Sequence, residues 1–491
     1  MNQPVDAMTL INQGLTAVAK HEADGRLDLA DMEIQKLYRM FPNLPQVVHL
    51  RGVIAHKRKR YNEGIYYMET SIKMLPSNFT FFRNITDAYK TAGRLDEALH
   101  TARMAVEMAP FDYVANFNLA VVHMERNEYT DTFLALDRAE AIKKTADIQF
   151  CRAEVNLLLG NYKEGWPLYE HRFDIQGGKA SIPGALANTP VWTGQVPKEG
   201  QKYTILIISD QGYGDNIQFS RYVKSFHEKY PYLDLVMGCT QELTWLYKQF
   251  DFFKDIGNSV DKLGEFDYYL PVSSLPLYLW DGVENMTPPV HVPIPVDALA
   301  RWAANVKTIS KDKKLKIGLA WAGRAAHKND AKRSMPLEAL KPFFDDEELD
   351  IFSLQKEPAN AQIAAYDNFK CNMCDCSMGL NTWEDTAALI SQVDLVLTVD
   401  TSIAHLAGSM GVRTFMLIPT APDWRWGLNT DKTPWYPSIT IFRQQSPRNW
   451  ADPVMRAYEE TRKIIASSSQ EEVKEAPQEA EPSPAFIPPQ A

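Results

Sequence analysis

Cysteine is scarce in this chain, five among 491 residues, which is too few for the disulfide framework of a small secreted domain. Long basic blocks are missing and the formal net charge is −10, so a nucleic-acid backbone is excluded as the natural partner. No apolar run approaches the roughly 18 residues that a membrane-spanning helix requires. The opening residues MNQPVDAMTLINQG carry neither a basic leader nor an apolar stretch with a small-residue cleavage site. These absences together predict a soluble protein of a reducing compartment, the cytoplasm. Cys371, Cys374 and Cys376 are close in sequence, but a tetrahedral metal site needs a fourth ligand and none lies nearby. They are read as reduced thiols in a loop, and no metal is expected.

What is present is apolar material, 45% of the residues, enough for about three domains. The first 175 residues repeat on themselves. Pro42, Pro76 and Pro110 are 34 residues apart and each closes an apolar helical stretch such as EALHTARMAVEMAP. A turn recurs within each unit: DGRL at Gly25, KRYN at Lys59, AGRL at Gly93, RNEY at Asn127 and LGNY at Gly160. Glycine and asparagine suit the left-handed residue that ends a helix, and small residues recur where helices would touch, at Gly52, Ala98, Ala105, Ala120 and Ala139. The period and turn resemble the tetratricopeptide repeat family. About five helical pairs are implied, stacked into a solenoid whose concave face holds a peptide or protein, or which serves as a structural collar.

Residues 176–200 are rich in Gly and Pro and read as a linker or domain-edge loop. Beyond them short β-branched runs alternate with helical stretches: YTILIIS, LDLVMGC and FDYYLPV, then KIGLAWAG, LDIFSLQ, VDLVLTVD, VRTFMLI and SITIFRQ. Buried runs separated by helices predict parallel sheets covered on both faces. The stretch TPPVHVPIP divides them into two groups, so two Rossmann-like lobes are expected, at 201–296 and 297–465, with ligands at the carboxyl ends of the strands. From 466 onward the composition predicts a disordered tail.

Polar groups gather at the predicted strand ends. VDLVLTVD ends at Asp400, where Thr401 or Ser402 would cap a helix whose free N–H groups favour an anion. His405 shares the face of Thr401 four residues later, a spacing that also suits a plain cap with a packed histidine. The loop GRAAHKNDAKRS gathers Arg324, His327, Lys328, Lys332 and Arg333, cations that would either neutralise a diphosphate or cover a solvated surface. Gln355 and Lys356 close LDIFSLQK. In the first group, SDQGYGD follows YTILIIS. Gly212 and Gly214 are read as allowing a tight turn and close approach to a ligand, and Asp215 as either a helix-start residue or a carboxylate that takes a proton from a hydroxyl. No G-x-G-x-x-G fingerprint accompanies them. Trp424, Trp426 and Trp435 beside Asp423 and Arg425 would stack on a sugar or base ring or, more commonly for tryptophan, pack in a core.

Taken in order, DQGYGDNIQFSRY, GLAWAGRAAHKNDAKRSMPL, SLQK, DTAALI, VDLVLTVDTSIAHLAG and PDWRW resemble bacterial tetratricopeptide-repeat glycosyltransferases. Their C-terminal half is similar to the heptosyltransferases of glycosyltransferase family 9 and, more distantly, to O-linked N-acetylglucosamine transferases. The resemblance implies an α-helical repeat solenoid followed by a GT-B α/β transferase. It also implies inverting transfer from a nucleotide-diphosphate sugar to an acceptor hydroxyl, without a cofactor. Asp215 matches the family's base. Asp400, Thr401 and His405 match its D-T-x-x-x-H element on the donor diphosphate, and Arg333 a basic residue at the phosphates. Gly212, Gly214, Lys328, Gln355, Lys356 and Ser402 complete the implied donor site. Tyr213 and Met335 replace aliphatic residues of the family pattern. No Asp-x-Asp metal–nucleotide element is found, in keeping with metal-free catalysis. The implied acceptor is a protein recruited by the repeats, flagellin or another surface protein being an example. The alternatives are a lipopolysaccharide-type acceptor and an interaction scaffold with an inactive transferase half.

Overall fold

The computed structural model describes residues 7–327, 329–356 and 358–475. The repeats form five helical pairs: Ala7–Ala23 with Leu27–Met40, Pro45–Lys57 with Tyr61–Met74, Phe79–Thr91 with Leu95–Met108, Tyr113–Glu125 with Tyr129–Ile142, and Ala146–Leu158 with Tyr162–Tyr169. The turn residues all adopt positive φ: +72° at Gly25, +62° at Lys59, +77° at Gly93, +61° at Asn127 and +83° at Gly160. Glycine takes this conformation freely, whereas a side chain there costs on the order of 1 kcal/mol. Where helices cross most closely the residues are small. A Cβ on Gly52 would lie 2.8 Å from the Gly64 carbonyl oxygen, and Ala98, Ala120 and Ala139 are wholly buried.

Two parallel sheets follow. The first has the order β3-β2-β1-β4, from β1 (Tyr203–Ile208), β2 (Leu233–Gly238), β3 (Phe253–Gly257) and β4 (Tyr268–Pro271). The second has the order β10-β9-β8-β5-β6-β7, from β5 (Leu315–Ala320), β6 (Leu349–Ser353), β7 (Asn372–Asp375), β8 (Leu395–Val399), β9 (Thr414–Ile418) and β10 (Ile439–Arg443). All eight apolar runs of the sequence are strands. β3 and β7 are additional, and both lie at sheet edges. Their FKDIG and NMCD sequences mix charge with apolar residues because only one side is paired. The cysteine segment is therefore an edge strand with its flanks rather than a loop. Cys374 Sγ lies 3.6 Å from the Ile309 carbonyl and Cys376 Sγ 3.7 Å from that of Cys374, and burial raises all three thiols.

One core joins the three parts. Trp166, from the last repeat, has its ring centroid 5.4 Å from that of Trp424, 6.0 Å from Trp280 and 6.3 Å from Phe219. It thus packs simultaneously on both sheets' surroundings. The Gly/Pro-rich segment 176–200 belongs to the same body. Val191 bridges Tyr269, the Trp192 backbone N–H donates to the Tyr269 carbonyl at 2.9 Å, and the Trp192 ring is wholly buried. The last helix runs Ala451–Glu475, further than the expected start of the tail at 466. Residues 476–491 lie outside the described residues. Among the described residues no helix is long and apolar enough to cross a membrane.

Candidate active site

The chain leaves β1 into helix Tyr213–Phe219 and leaves β8 into helix Ser402–Ser409, and the two helix starts meet. A Cβ on Gly214 would lie 2.7 Å from His405 Cδ2 and 3.3 Å from Ser402 Cα, so only glycine permits this approach. Gly212 and Gly214 carry the chain from strand to helix without left-handed backbone. Neither is among the residues of positive φ, and Gly212 is an extended N-cap, with φ −67° and ψ 171°. The close partner of Gly214 is the other sheet's helix.

Asp215 stands at the third position of its helix. Its Oδ2 accepts the Gly212 N–H at 3.1 Å, so the helix-start role is realised, and the side chain remains 23% exposed. Its Oδ1 receives Arg425 Nη2. Arg425 is buried between Trp424 and Trp426, and its other donors reach Gln218 Oε1 at 2.6 Å and Asp423 Oδ1 at 2.8 Å. One guanidinium thereby ties the first sheet's helix to the loop after β9. Burial pushes the Asp215 carboxyl up from the usual carboxylate range, Arg425 opposes this, and Asp423 and Asp210 add to it.

Across the junction, Thr401 caps its helix by accepting the Ile403 N–H at 3.3 Å. His405 is buried, with Nδ1 3.0 Å from the Tyr436 hydroxyl and its ring against Trp426. Burial, followed by the charges of Arg425, Arg221 and Arg333, lowers its pKa well below the ordinary histidine value, so it is a neutral hydrogen-bonding group. The Asp400 carbonyl accepts Arg333 Nη1 at 3.0 Å. Burial and then repulsion from Asp423 raise the Asp400 carboxyl to about 6, against the pull of Arg333 and Arg425.

Arg333 lies over Gly323, where a Cβ would approach its Nη2 to 2.8 Å, and its buried Nε has no hydrogen-bond partner among the described residues. Gln355 turns inward. Its Oε1 accepts the backbone N–H groups of Trp321 and Ala322 at 3.1 and 3.0 Å, which fixes the start of the basic loop. Lys356 bonds the Leu380 carbonyl. Arg324 is exposed, and Lys328 lies outside the described residues. The structure thus gathers Asp215, Gly214, Arg333, Asp400, Thr401, Ser402 and His405, and uses Gln355 and Lys356 to brace the loops around them. The three tryptophans take the packing role: Trp424, Trp426 and Trp435 are all buried.

The sequence reading assigns no role to Arg425, Tyr436 or Gln218, which link the two halves of the site. The signal was present for Arg425, since a cation between two tryptophans can be buried only if carboxylates meet it. A second buried network supports β1. Asp210 accepts the Ser273 hydroxyl at 2.5 Å, and Arg172, from the end of the repeats, donates to Ser273 and Ser274 at 2.7 and 2.6 Å.

No family model matches the chain. Among curated proteins it is similar to Protein FlbA of Caulobacter vibrioides, at 24% identity over 423 residues, covering 79% of this chain. The chain spans 66% of that relative's length. Among solved structures, a thermophilic TPR protein of Thermus thermophilus is 19% identical, with 36% of this chain and 93% of that one covered and a TM-score of 0.31. The ADP-heptose LPS heptosyltransferase II of E. coli is 13% identical, with 54% and 99% covered and a TM-score of 0.40. A family 9 glycosyl transferase of Veillonella parvula is 10% identical, with 56% and 100% covered and a TM-score of 0.41.

Proposed function

We propose that the chain is a glycosyltransferase of GT-B architecture that moves a sugar from a nucleotide-diphosphate donor to an acceptor hydroxyl. The observation that carries this reading is the meeting of two helix starts, one with Gly214 and Asp215 and one with Ser402 and His405, which follow strand ends of two different parallel sheets. Ligands of open parallel sheets bind at such ends. In this mechanism the Arg333 guanidinium and the helix start at Thr401 and Ser402 hold the diphosphate and stabilise it as it leaves. Neutral His405 donates or accepts a hydrogen bond without adding charge. Asp215 accepts the acceptor's proton as its oxygen attacks the anomeric carbon from the face opposite the leaving diphosphate, inverting the configuration. Its raised proton affinity suits a general base, and Arg425 keeps it ionised until the acceptor arrives. The acceptor is a protein brought by the repeats, and the protein works in the cytoplasm without a metal.

The rival scaffold reading is favoured by one observation, that Asp215 is already engaged by Arg425 and the Gly212 N–H. Thermal melts with ADP, UDP, GDP and CDP separate the two. A transferase gains stability from at least one of them, and His405→Ala loses the gain; a scaffold with a dead site gains from none. Intact-mass analysis of cellular proteins with and without the chain then names the acceptor. Asp215→Asn should abolish the added mass while donor binding stays near wild type.

A further inference from the structure

The repeats touch the second sheet through their turns, and three of these contacts fall on the two loops that carry Arg333 and Arg425. Glu125, at the end of its helix and only 14% exposed, pairs with Lys332, the neighbour of Arg333. Asn127 donates from Nδ2 to the Thr420 carbonyl at 3.2 Å, at the start of the loop that continues to Asp423 and Arg425. Its Oδ1 accepts the Tyr129 hydroxyl at 2.7 Å, so the amide is oriented at both ends. Lys59 reaches the Ala325 carbonyl at 3.4 Å, and Arg448 reaches back to the Thr91 carbonyl.

Two features set these contacts apart from incidental packing. First, among the five repeat turns, Lys59 and Asn127 are the non-glycine residues at positive φ. Each accepts a conformational strain that Gly25, Gly93 and Gly160 avoid, and each uses its side chain to reach a loop of the second sheet. Strain retained where a less strained residue serves elsewhere points to a role for the side chain. Second, the segment around Arg333 has little burial of its own. Its fixed points include Ser334 Oγ with the Gly323 N–H at 2.9 Å, the Met335 N–H with the Trp321 carbonyl at 3.0 Å, Arg333 with the Asp400 carbonyl, and Lys332 with Glu125. One of these belongs to the repeats.

We propose that the turn edge of the solenoid is a positioning element of the donor site, with Glu125 and Asn127 holding the loops that place Arg333 and Arg425 for a nucleoside diphosphate. This rests on the donor-site reading above. Because binding linkage is reciprocal, a bound diphosphate also tightens the repeat–sheet contact, and a partner that strains the turns weakens the donor's hold.

The test is calorimetric titration of the full chain with ADP, UDP, GDP and CDP, for wild type, Glu125→Gln, Asn127→Gly and the double variant. The diphosphate that wild type binds should be held at least about fivefold more weakly by the double variant. Asn127→Gly should melt no lower than wild type, because glycine relieves the left-handed strain. That pairing separates positioning from a general loss of structure, and Asn127→Gly decides the matter alone if Glu125→Gln does not fold. Wild-type affinity in every variant that folds overturns the inference and leaves the donor site standing. Failure of wild type to bind any of the four removes the donor site, and this inference with it.

Discussion

Replacing Gly214 by alanine sets two physical effects of opposite sign against each other. Gly214 lies in the first turn of a helix with an ordinary negative φ, so alanine fits the backbone and its higher helix propensity stabilises by up to about 1 kcal/mol. The added methyl would stand 2.7 Å from His405 Cδ2 and 3.3 Å from both His405 Nε2 and Ser402 Cα, where carbon contacts prefer about 3.5–4.0 Å. His405 cannot swing aside cheaply, since Tyr436 holds its Nδ1 at 3.0 Å and Trp426 packs on its ring. The two helix starts must instead separate by several tenths of an ångström, an overpacking cost of about 1–3 kcal/mol. The net expectation is destabilisation of about 1–2 kcal/mol, read by urea unfolding followed by far-UV circular dichroism. Gly212→Ala is the control. Its Cβ meets the end of the Asp215 side chain, at 3.2 Å, and should change stability by less than about 1 kcal/mol. A Gly214→Ala protein as stable as wild type, or more so, would refute the close approach of the two helices on which the site is built.

Three further outcomes follow from the geometry. The folded Asp400 carboxyl, at about 6, lies above its unfolded value near ~4. The native state therefore binds more protons between those values, and stability from this group falls as pH rises through that window. Asp400→Asn should accordingly gain about 2 kcal/mol over wild type at pH 8 and nothing at pH 4, measured by urea unfolding at both. Arg425→Gln leaves the Asp215 and Asp423 carboxylates facing each other in a buried site and should lose about 3–5 kcal/mol. Arg425→Lys should recover less than half of that, because one ammonium cannot span three acceptors, and full rescue by lysine would contradict the hub role. Trp166→Ala removes the ring shared by repeats and sheets, at a loss of about 3–5 kcal/mol. Its unfolding should split into two transitions, where a single transition would show that Trp166 does not couple the parts.

The left-handed turns from Gly25 to Gly160 and the strands that begin with YTILIIS were legible in the sequence. A 34-residue period and an apolar run each record a local requirement, a backbone angle or a buried pleat. β3 and β7 were not legible, because an edge strand is defined by the neighbour it pairs with and its own residues need satisfy only one face. The inward turn of Gln355 was hidden for a related reason. A polar residue at a strand end reads the same whether it faces a ligand or two backbone N–H groups.

The sequence by itself determined the repeat array, the two groups of strands and the residues available for chemistry, since these depend on periodicity and on which side chains lie near strand ends. Tertiary structure alone decided that Gly214 touches His405, that Arg425 bridges Asp215 and Asp423, and that Glu125 and Asn127 meet Lys332 and Thr420 on the loops of Arg333 and Arg425. Those contacts join residues separated by nearly two hundred positions or more. Their energies come from burial and from opposite charges brought together out of water, and neither exists until the chain has closed on itself.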